Sequence, residues 1–282
     1  MILKWEPVVD SIKKKLIDYN FWDESYIWIL LLSDDMASKK YVSLKQKFWK
    51  EVWLDVFIYS KDNENIDPYN LDNVLSKIDS LNKDENCLWI VVQLPINETL
   101  SWYFSLILSS ISPQKDIDWL WWVLFWLNLV WKIKFVPATP KAVLKILEYY
   151  KLDDYRWKKI SVIWQSNLVW KPLALELMNA NAEVFSFNEN VNNNDLKNIC
   201  KISDYIISAT WVCSLIDSSY LRSDPSQVII DVWFWKKWNK VMWDVDYEAV
   251  KDYVKAITPV PWWVWPVTVA CLFENIIDLD KV

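Results

Sequence analysis

The sequence predicts two consecutive α/β domains, each a mostly parallel sheet with helices on its faces. Three observations carry this. Helix and strand signals alternate from the start of the chain; the alternation restarts after residue 158 with a full strand, turn, helix and strand; and 282 residues suffice for one large or two medium domains.

Taken in order, EPVVDSIKKKLIDY spaces its apolar residues as an amphipathic helix does, and YIWILLLS is an apolar run of buried-strand length. SKKYVSLKQKFWKEV predicts a helix, LDVFIYS a strand, YNLDNVLSKIDSLNK a helix and CLWIVVQLP a strand. Strands separated by helices are joined in parallel, with the helices covering both faces. VPATPKAVLKILEYYKL is helical from about Pro140. KKISVIWQSNLVWKPLALELMNANAEVFSF then supplies a strand (160–163), a turn, a helix (about 171–179) and a strand (183–187). That is one βαβ unit of the size that holds a nucleotide, so the second domain is Rossmann-like. Strands follow at DYIISAT, QVIIDV and KAITPV. The domains are expected at 1–138 and 139–258, with a last helix, VTVACLFENIIDL within 266–282, packing back on the first.

Composition sets an unusual constraint: the chain has 23 Trp and 0 Gly, where ordinary usage gives roughly 20 glycines. Trp22, Trp53, Trp157, Trp211, Trp235, Trp238 and Trp243 stand at the ends of apolar runs beside Asp, Asn or Lys, or in other turn-like contexts. Glycine is preferred there because it enters φ > 0 without steric cost. We read Trp as standing where Gly stood. A single codon accounts for both anomalies, since UGA is tryptophan in some genetic codes and glycine in certain bacterial lineages; deliberate replacement is the alternative. With indole at every such place the chain is expected to fold poorly. Left-handed backbone costs a non-glycine residue roughly 1 to 2 kcal/mol, and ten such sites offset the ~5 to 15 kcal/mol stability of a domain.

The remaining composition excludes several classes. A formal net charge of −6 argues against a nucleic-acid partner. With His 0, histidine triads, histidine bases and histidine-held metals are ruled out, and no metal is expected. Cys87, Cys200, Cys213 and Cys271 lack CxxC spacing and read as small core residues in a reducing cytoplasm. MILKWEPVVDSIKKK, apolar only briefly and then amphipathic, does not read as a signal peptide, and WLWWVLFWLNLVW falls short of the ~20 residues of a membrane helix, so no membrane contact is expected.

Candidate chemistry lies in both domains. VIWQSNLVWKP follows a strand and opens a helix; with glycine at Trp164 and Trp170 its backbone amides can reach a pyrophosphate, though a ligand-free glycine turn has the same pattern. Tyr41 and Lys45 in YVSLK are four apart, hence on one helix face. The helix also carries Lys39, Lys40, Lys47 and Lys50, and a lysine-rich face is ordinarily a solvated one. Gln93 ends a parallel strand, where α/β sheets place ligands, and Asp118 lies in a turn-like stretch.

YVSLKQK, VVQLPI, SPQKDIDWL, FVPATPKA, VIWQSNLVWKP and ITPVPWWVWPVTVA, in this order and spacing, resemble the bifunctional methylenetetrahydrofolate dehydrogenase/methenyltetrahydrofolate cyclohydrolase family over nearly the whole chain, provided Trp is read as Gly. The set is highly specific; no single motif is. The resemblance implies a catalytic lysine at Lys45 for the cyclohydrolase step, assisted by Gln93. It implies a tyrosine against the folate ring at Tyr41, and a carboxylate for the pterin amino-pyrimidine edge at Asp118. Substrate contacts carry over to Pro261, Trp262 and Trp263, within the loop 259–268 that lines the family's cleft. Dinucleotide contacts carry over to Trp164, Gln165, Ser166, Glu189, Thr210 and Phe234. The reaction implied is oxidation of methylenetetrahydrofolate with NADP or NAD, followed by attack of water on the methenyl cation to give formyltetrahydrofolate. A cytoplasmic homodimer, paired through the nucleotide domain, is implied as well.

Three departures bear on these roles. Gln165 replaces the family's common arginine, and Asn188 and Glu189 replace its common His-Ser, so the groups that meet a 2′-phosphate are missing and an acid stands where a free ribose hydroxyl is favoured. NAD therefore competes with NADP, unless Glu189 points to solvent. Third, indoles at Trp164 and Trp170 fill the space the phosphates need. Two other readings are a monofunctional or different two-domain Rossmann dehydrogenase, and a Trp-rich protein using aromatic platforms. Platforms need rings on one exposed face, whereas these tryptophans are scattered along the chain.

Overall fold

The computed structural model describes residues 1–19, 25–52, 54–62, 67–118, 136–163, 170–210, 212–232, 234–237, 240–259 and 264–279. The chain divides into two compact units: residues 13–135 with 272–282, and residues 1–12 with 136–271.

In the first unit, β1 (Tyr26–Leu31), β2 (Asp55–Tyr59) and β3 (Cys87–Gln93) form a sheet in the order β2-β1-β3. Both pairings are parallel. A helix, α1 (Glu6–Asp18), precedes the sheet, and α2 (Met36–Lys50) and α3 (Leu71–Lys83) are the crossovers. α2 starts where Asp35 accepts a hydrogen bond from the Ser38 amide, and α3 where Asn70 accepts from Asn73; such caps satisfy amides the helix cannot pair. Val74, Ile78 and Leu81 of α3 join Leu30, Ile90 and Val92 of the sheet in one buried cluster. A short 3-10 turn, Glu98–Tyr103, and a helix, Phe104–Ser109, extend that core through Leu100, Ile107 and Leu108. On the other side of the unit Phe273 stacks on Phe48, with ring centroids 5.2 Å apart, and Lys15 pairs with Glu274 at 3.0 Å.

The second unit carries a parallel sheet in the order β10-β7-β6-β4-β5, from β4 (Lys159–Ile163), β5 (Glu183–Phe187), β6 (Tyr205–Ser208), β7 (Val228–Asp231) and β10 (Ala256–Ile257). Its core contains Ile163, Ile206, Ile229 and Ile257 with Leu196 and Cys200. The strand and helix registers follow the apolar runs in the sequence closely. Two elements do not. NENVNNND reads only as a polar tract, yet Asn193–Ile202 is a helix, because Asn192 caps it and Leu196 and Cys200 fall on one buried face. The other is an antiparallel hairpin of β8 (Phe234–Lys237) and β9 (Lys240–Trp243) beside the parallel sheet.

The tryptophans divide by position. Trp235 and Trp243 lie in paired strands, not in turns: Trp235 opposes Met242, and Trp243 opposes Phe234. Trp157 has φ 62°, in the left-handed region, and among the described residues it is the one tryptophan there. Of the other positions read as turns, Trp22, Trp53, Trp211 and Trp238 lie outside the described residues. Trp49 is fully buried; its ring centroid is 3.6 Å from that of Phe273 at a 56° tilt, and its indole nitrogen has no hydrogen-bond partner. Ring pairs ordinarily sit ~4.5 to 7 Å apart, so this indole is crowded. Cys87, Cys200 and Cys271 are buried, but Cys213 is exposed and is not the core residue its type predicts. Among the described residues no helix is long and apolar enough to cross a membrane, and no group of three His, Cys, Asp or Glu is placed to hold a metal ion.

Candidate functional site

α2 buries Ser38, Val42, Lys45, Phe48 and Trp49, a stripe at helical spacing that faces the interior of its unit. Lys45 occupies the middle of that stripe, where the period calls for an apolar residue, and is 3% exposed. Its Nζ lies 4.8 Å from the centroid of the Tyr41 ring, one turn earlier on α2. Burial pulls the Lys45 amine below the ordinary lysine range, and the attraction of Asp118 offsets this only in part. Burial likewise raises the Asp118 carboxyl, against the opposing pull of Lys45. Asp118 keeps part of its surface open, while its carboxyl is enclosed enough for burial to dominate. The Tyr41 phenol is pushed far up, by burial first and by the Asp118 charge second.

Asp118 reaches this place because Asp116 bridges Ile90 in parallel, adding a strand-like contact to the edge of β3. Gln93 ends β3 and is 7% exposed. Its Nε2 donates to the Leu94 carbonyl at 2.7 Å, and its buried Oε1 has no hydrogen-bond partner. The Ser38 hydroxyl also donates to the Leu94 carbonyl, at 3.4 Å, which ties α2 to the end of β3. The unit therefore holds an amine drawn toward its neutral form and, in electrostatic reach of it, an enclosed carboxyl, with the protonated Tyr41 phenol beside them; the Gln93 carboxamide ends β3.

In the second unit β4 lies between β5 and β6, so the chain leaves β4 toward one side of the sheet and returns on the other. The crevice at such a reversal, at the carboxyl ends of the strands, is where open α/β sheets bind ligands. Thr210 follows β6 at this point and is 2% exposed. Glu189 follows β5 and is exposed, in a turn where Asn188 Oδ1 accepts from the Asn190 amide. Phe234 opens β8 and pairs with Trp243. Trp164, Gln165 and Ser166, and likewise Pro261, Trp262 and Trp263, lie outside the described residues. Sequence spacing gives no sign of Ser208, Asp231 and Asp244, all buried. Acids ending or following strands become conspicuous only once their burial is known.

A parallel α/β unit with a buried lysine, joined to a Rossmann-like unit with a strand-order reversal, defines a two-domain, nucleotide-linked enzyme. Residues 6–118 match the catalytic domain of tetrahydrofolate dehydrogenase/cyclohydrolase, and residues 137–282 match the NAD(P)-binding domain of the same enzymes. The chain belongs to the tetrahydrofolate dehydrogenase/cyclohydrolase family. It is 35% identical over 255 residues to a bifunctional protein FolD of Mycoplasma capricolum, covering 90% of this chain and 86% of that protein. The crystal structure of a Campylobacter jejuni FolD, a methylenetetrahydrofolate dehydrogenase/cyclohydrolase, superposes with a TM-score of 0.88 at 31% identity, covering 100% of this chain and 98% of the other. A 5,10-methylenetetrahydrofolate dehydrogenase of the silkworm, Bombyx mori, gives a TM-score of 0.86 at 29% identity, covering 99% and 97%.

Proposed function

We propose that the chain oxidises methylenetetrahydrofolate to methenyltetrahydrofolate with a nicotinamide dinucleotide and hydrolyses the product to formyltetrahydrofolate. The observation that carries this reading is the burial of Lys45 on the core stripe of α2, under the influence of Asp118, in a chain of this family. Turnover of both substrates by the purified chain carrying glycine at its 23 tryptophan positions tests it, and absence of both activities from that form overturns it.

Each side chain has a role that follows from its state. A neutral amine takes a proton from the attacking water, and Lys45 is held toward that form by burial. Gln93 offers its Oε1 as an acceptor for the amine, which keeps the lone pair directed. The Tyr41 ring forms an apolar wall for the folate ring system, and its phenol stays protonated as a donor. Asp118 accepts the N–H groups of the amino-pyrimidine edge, a pattern that rejects analogues lacking those donors. Pro261, Trp262 and Trp263 are proposed to line the folate.

The parallel strands, their reversal at β4 and the buried Thr210 fit a dinucleotide. When bound it supplies a two-electron acceptor. We assign its binding to Trp164, Gln165, Ser166, Glu189, Thr210 and Phe234, with 1–138 as the folate domain and 139–258 as the dinucleotide domain. Glu189 is exposed just after β5, so it favours NAD only where the bound ribose covers it; in that pose its carboxylate repels a 2′-phosphate and NAD is expected to serve at least as well as NADP. Glu189→Ser should then lower the KM for NADP severalfold and leave that for NAD nearly unchanged; a large NADP preference in the parent chain defeats the assignment. A homodimer through the dinucleotide domain and a cytoplasmic location belong to the same reading, and sedimentation of the purified chain checks the first.

The pH dependence has a definite sign. Only the unprotonated amine acts as a base, so the part of the hydrolysis rate that depends on Lys45 should rise with pH and level off. Its midpoint should fall below the ordinary lysine range, because burial lowers the amine. A rate that falls over this range contradicts the role.

A further inference from the structure

Asp244 is fully buried in the second unit, just after β9. Its Oδ2 accepts from the Ser208 hydroxyl at 3.0 Å and from the Thr210 amide. Its backbone carbonyl accepts from the Ile216 amide at 3.0 Å, and the preceding carbonyl, of Trp243, accepts from Ser214 at 2.9 Å. One residue thus fastens both ends of the segment that leaves the sheet at the carboxyl end of β6, next to the reversal at β4. The anchor is itself anchored: Asp231, the last residue of β7, accepts from the Val245 amide at 2.9 Å, and the Asp231 amide donates to the Thr258 hydroxyl at 2.8 Å. A buried carboxylate is costly unless hydrogen-bonded, and charge-assisted bonds of this kind fix backbone more firmly than neutral ones.

We propose that Asp244 is a positioning residue for dinucleotide binding, holding Ser208, Thr210 and Ile216 so that Thr210 is set at the strand-order reversal. This rests on the reading of the chain as a dehydrogenase/cyclohydrolase with Thr210 facing the dinucleotide. Asp244 touches neither substrate nor dinucleotide in this role; it acts through Ser208 and through the backbone at Thr210 and Ile216. The residues proposed for hydrolysis, Tyr41, Lys45, Gln93 and Asp118, all belong to the other unit, so the two activities report separately.

The experiment compares Asp244→Ala and Asp244→Asn with the parent in the full chain, in whichever form, tryptophan-bearing or glycine-bearing, turns over methylenetetrahydrofolate. Dinucleotide KM, dehydrogenase kcat and methenyltetrahydrofolate hydrolysis are measured on the same preparations. Asp244→Ala should raise the dinucleotide KM about tenfold or more while hydrolysis stays at the parent rate. Asp244→Asn keeps an oxygen acceptor without the charge and should raise that KM by less, about threefold. It also keeps the question open to test if the alanine variant does not fold. An unchanged KM in Asp244→Asn, or an equal loss of both activities in both variants, overturns the positioning role. A parent inactive in both assays overturns the functional reading, and this proposal with it.

Discussion

Lys45→Met should slow methenyltetrahydrofolate hydrolysis by about 10² to 10⁴, the range a positioned general base contributes. The substitution is well suited to the site. Methionine is unbranched, apolar and helix-compatible, and it replaces an amine already 3% exposed on a buried stripe, so the core of α2 should tolerate it. The loss is therefore chemical, and thermal unfolding of the variant should stay close to that of the parent. Because Asp118 then faces no cation, its carboxyl should move still further up. Rate assays with preformed methenyltetrahydrofolate give the answer directly: hydrolysis at the parent rate would remove Lys45 from the mechanism.

Returning glycine to the 23 tryptophan positions should both stabilise the chain and bring dinucleotide binding with it. At Trp157 the left-handed φ of 62° costs an indole-bearing residue roughly 1 kcal/mol that glycine does not incur. At Trp49 glycine removes a ring crowded against Phe273 and a buried indole N–H with no partner. That gain is partly offset by the cavity left behind and by glycine's lower helix propensity. At Trp164 and Trp170, glycine is expected to leave the room that a phosphate needs. The expected result is saturable binding of NAD or NADP by the glycine-bearing chain and none by the tryptophan-bearing one. Equal binding by the two forms would show that the indoles stand clear of the phosphates. The codons at these positions, or the mass of the protein made by its own cells against 33.8 kDa, decide between codon reassignment and true replacement.

Much of the scaffold is written in local pattern. The runs Tyr26–Leu31 and Cys87–Gln93 are strands because they are largely apolar, carry β-branched and aromatic residues and are bounded by polar turns, and Glu183–Phe187 because Val184, Phe185 and Phe187 give it strand-forming side chains beyond a polar start. α3 is a helix because Val74, Ile78 and Leu81 recur at its period behind an asparagine cap. Such signals need only neighbours in sequence, and the parallel order follows from the alternation itself. The hairpin of β8 and β9 escaped because Phe234–Lys237 and Lys240–Trp243 are too short and too mixed in character to show a period. The helix Asn193–Ile202 escaped because its polar face outweighs the two residues it buries.

The candidate site divides in the same way. Sequence alone determined which residue types stand at the motif positions, the four-residue spacing of Tyr41 and Lys45, and the family those motifs resemble. Only the tertiary structure decided that Lys45 is buried while its neighbours Lys47 and Lys50 are exposed. The charge of a lysine is free in water and costly in a core, so its chemistry depends on which way its helix face turns. Tertiary structure likewise decided that Asp118 acts on Lys45 across 73 residues of sequence, and that Asp244 closes on Ser208 and Thr210. Desolvation and Coulomb attraction depend on distance in space, which no local period encodes.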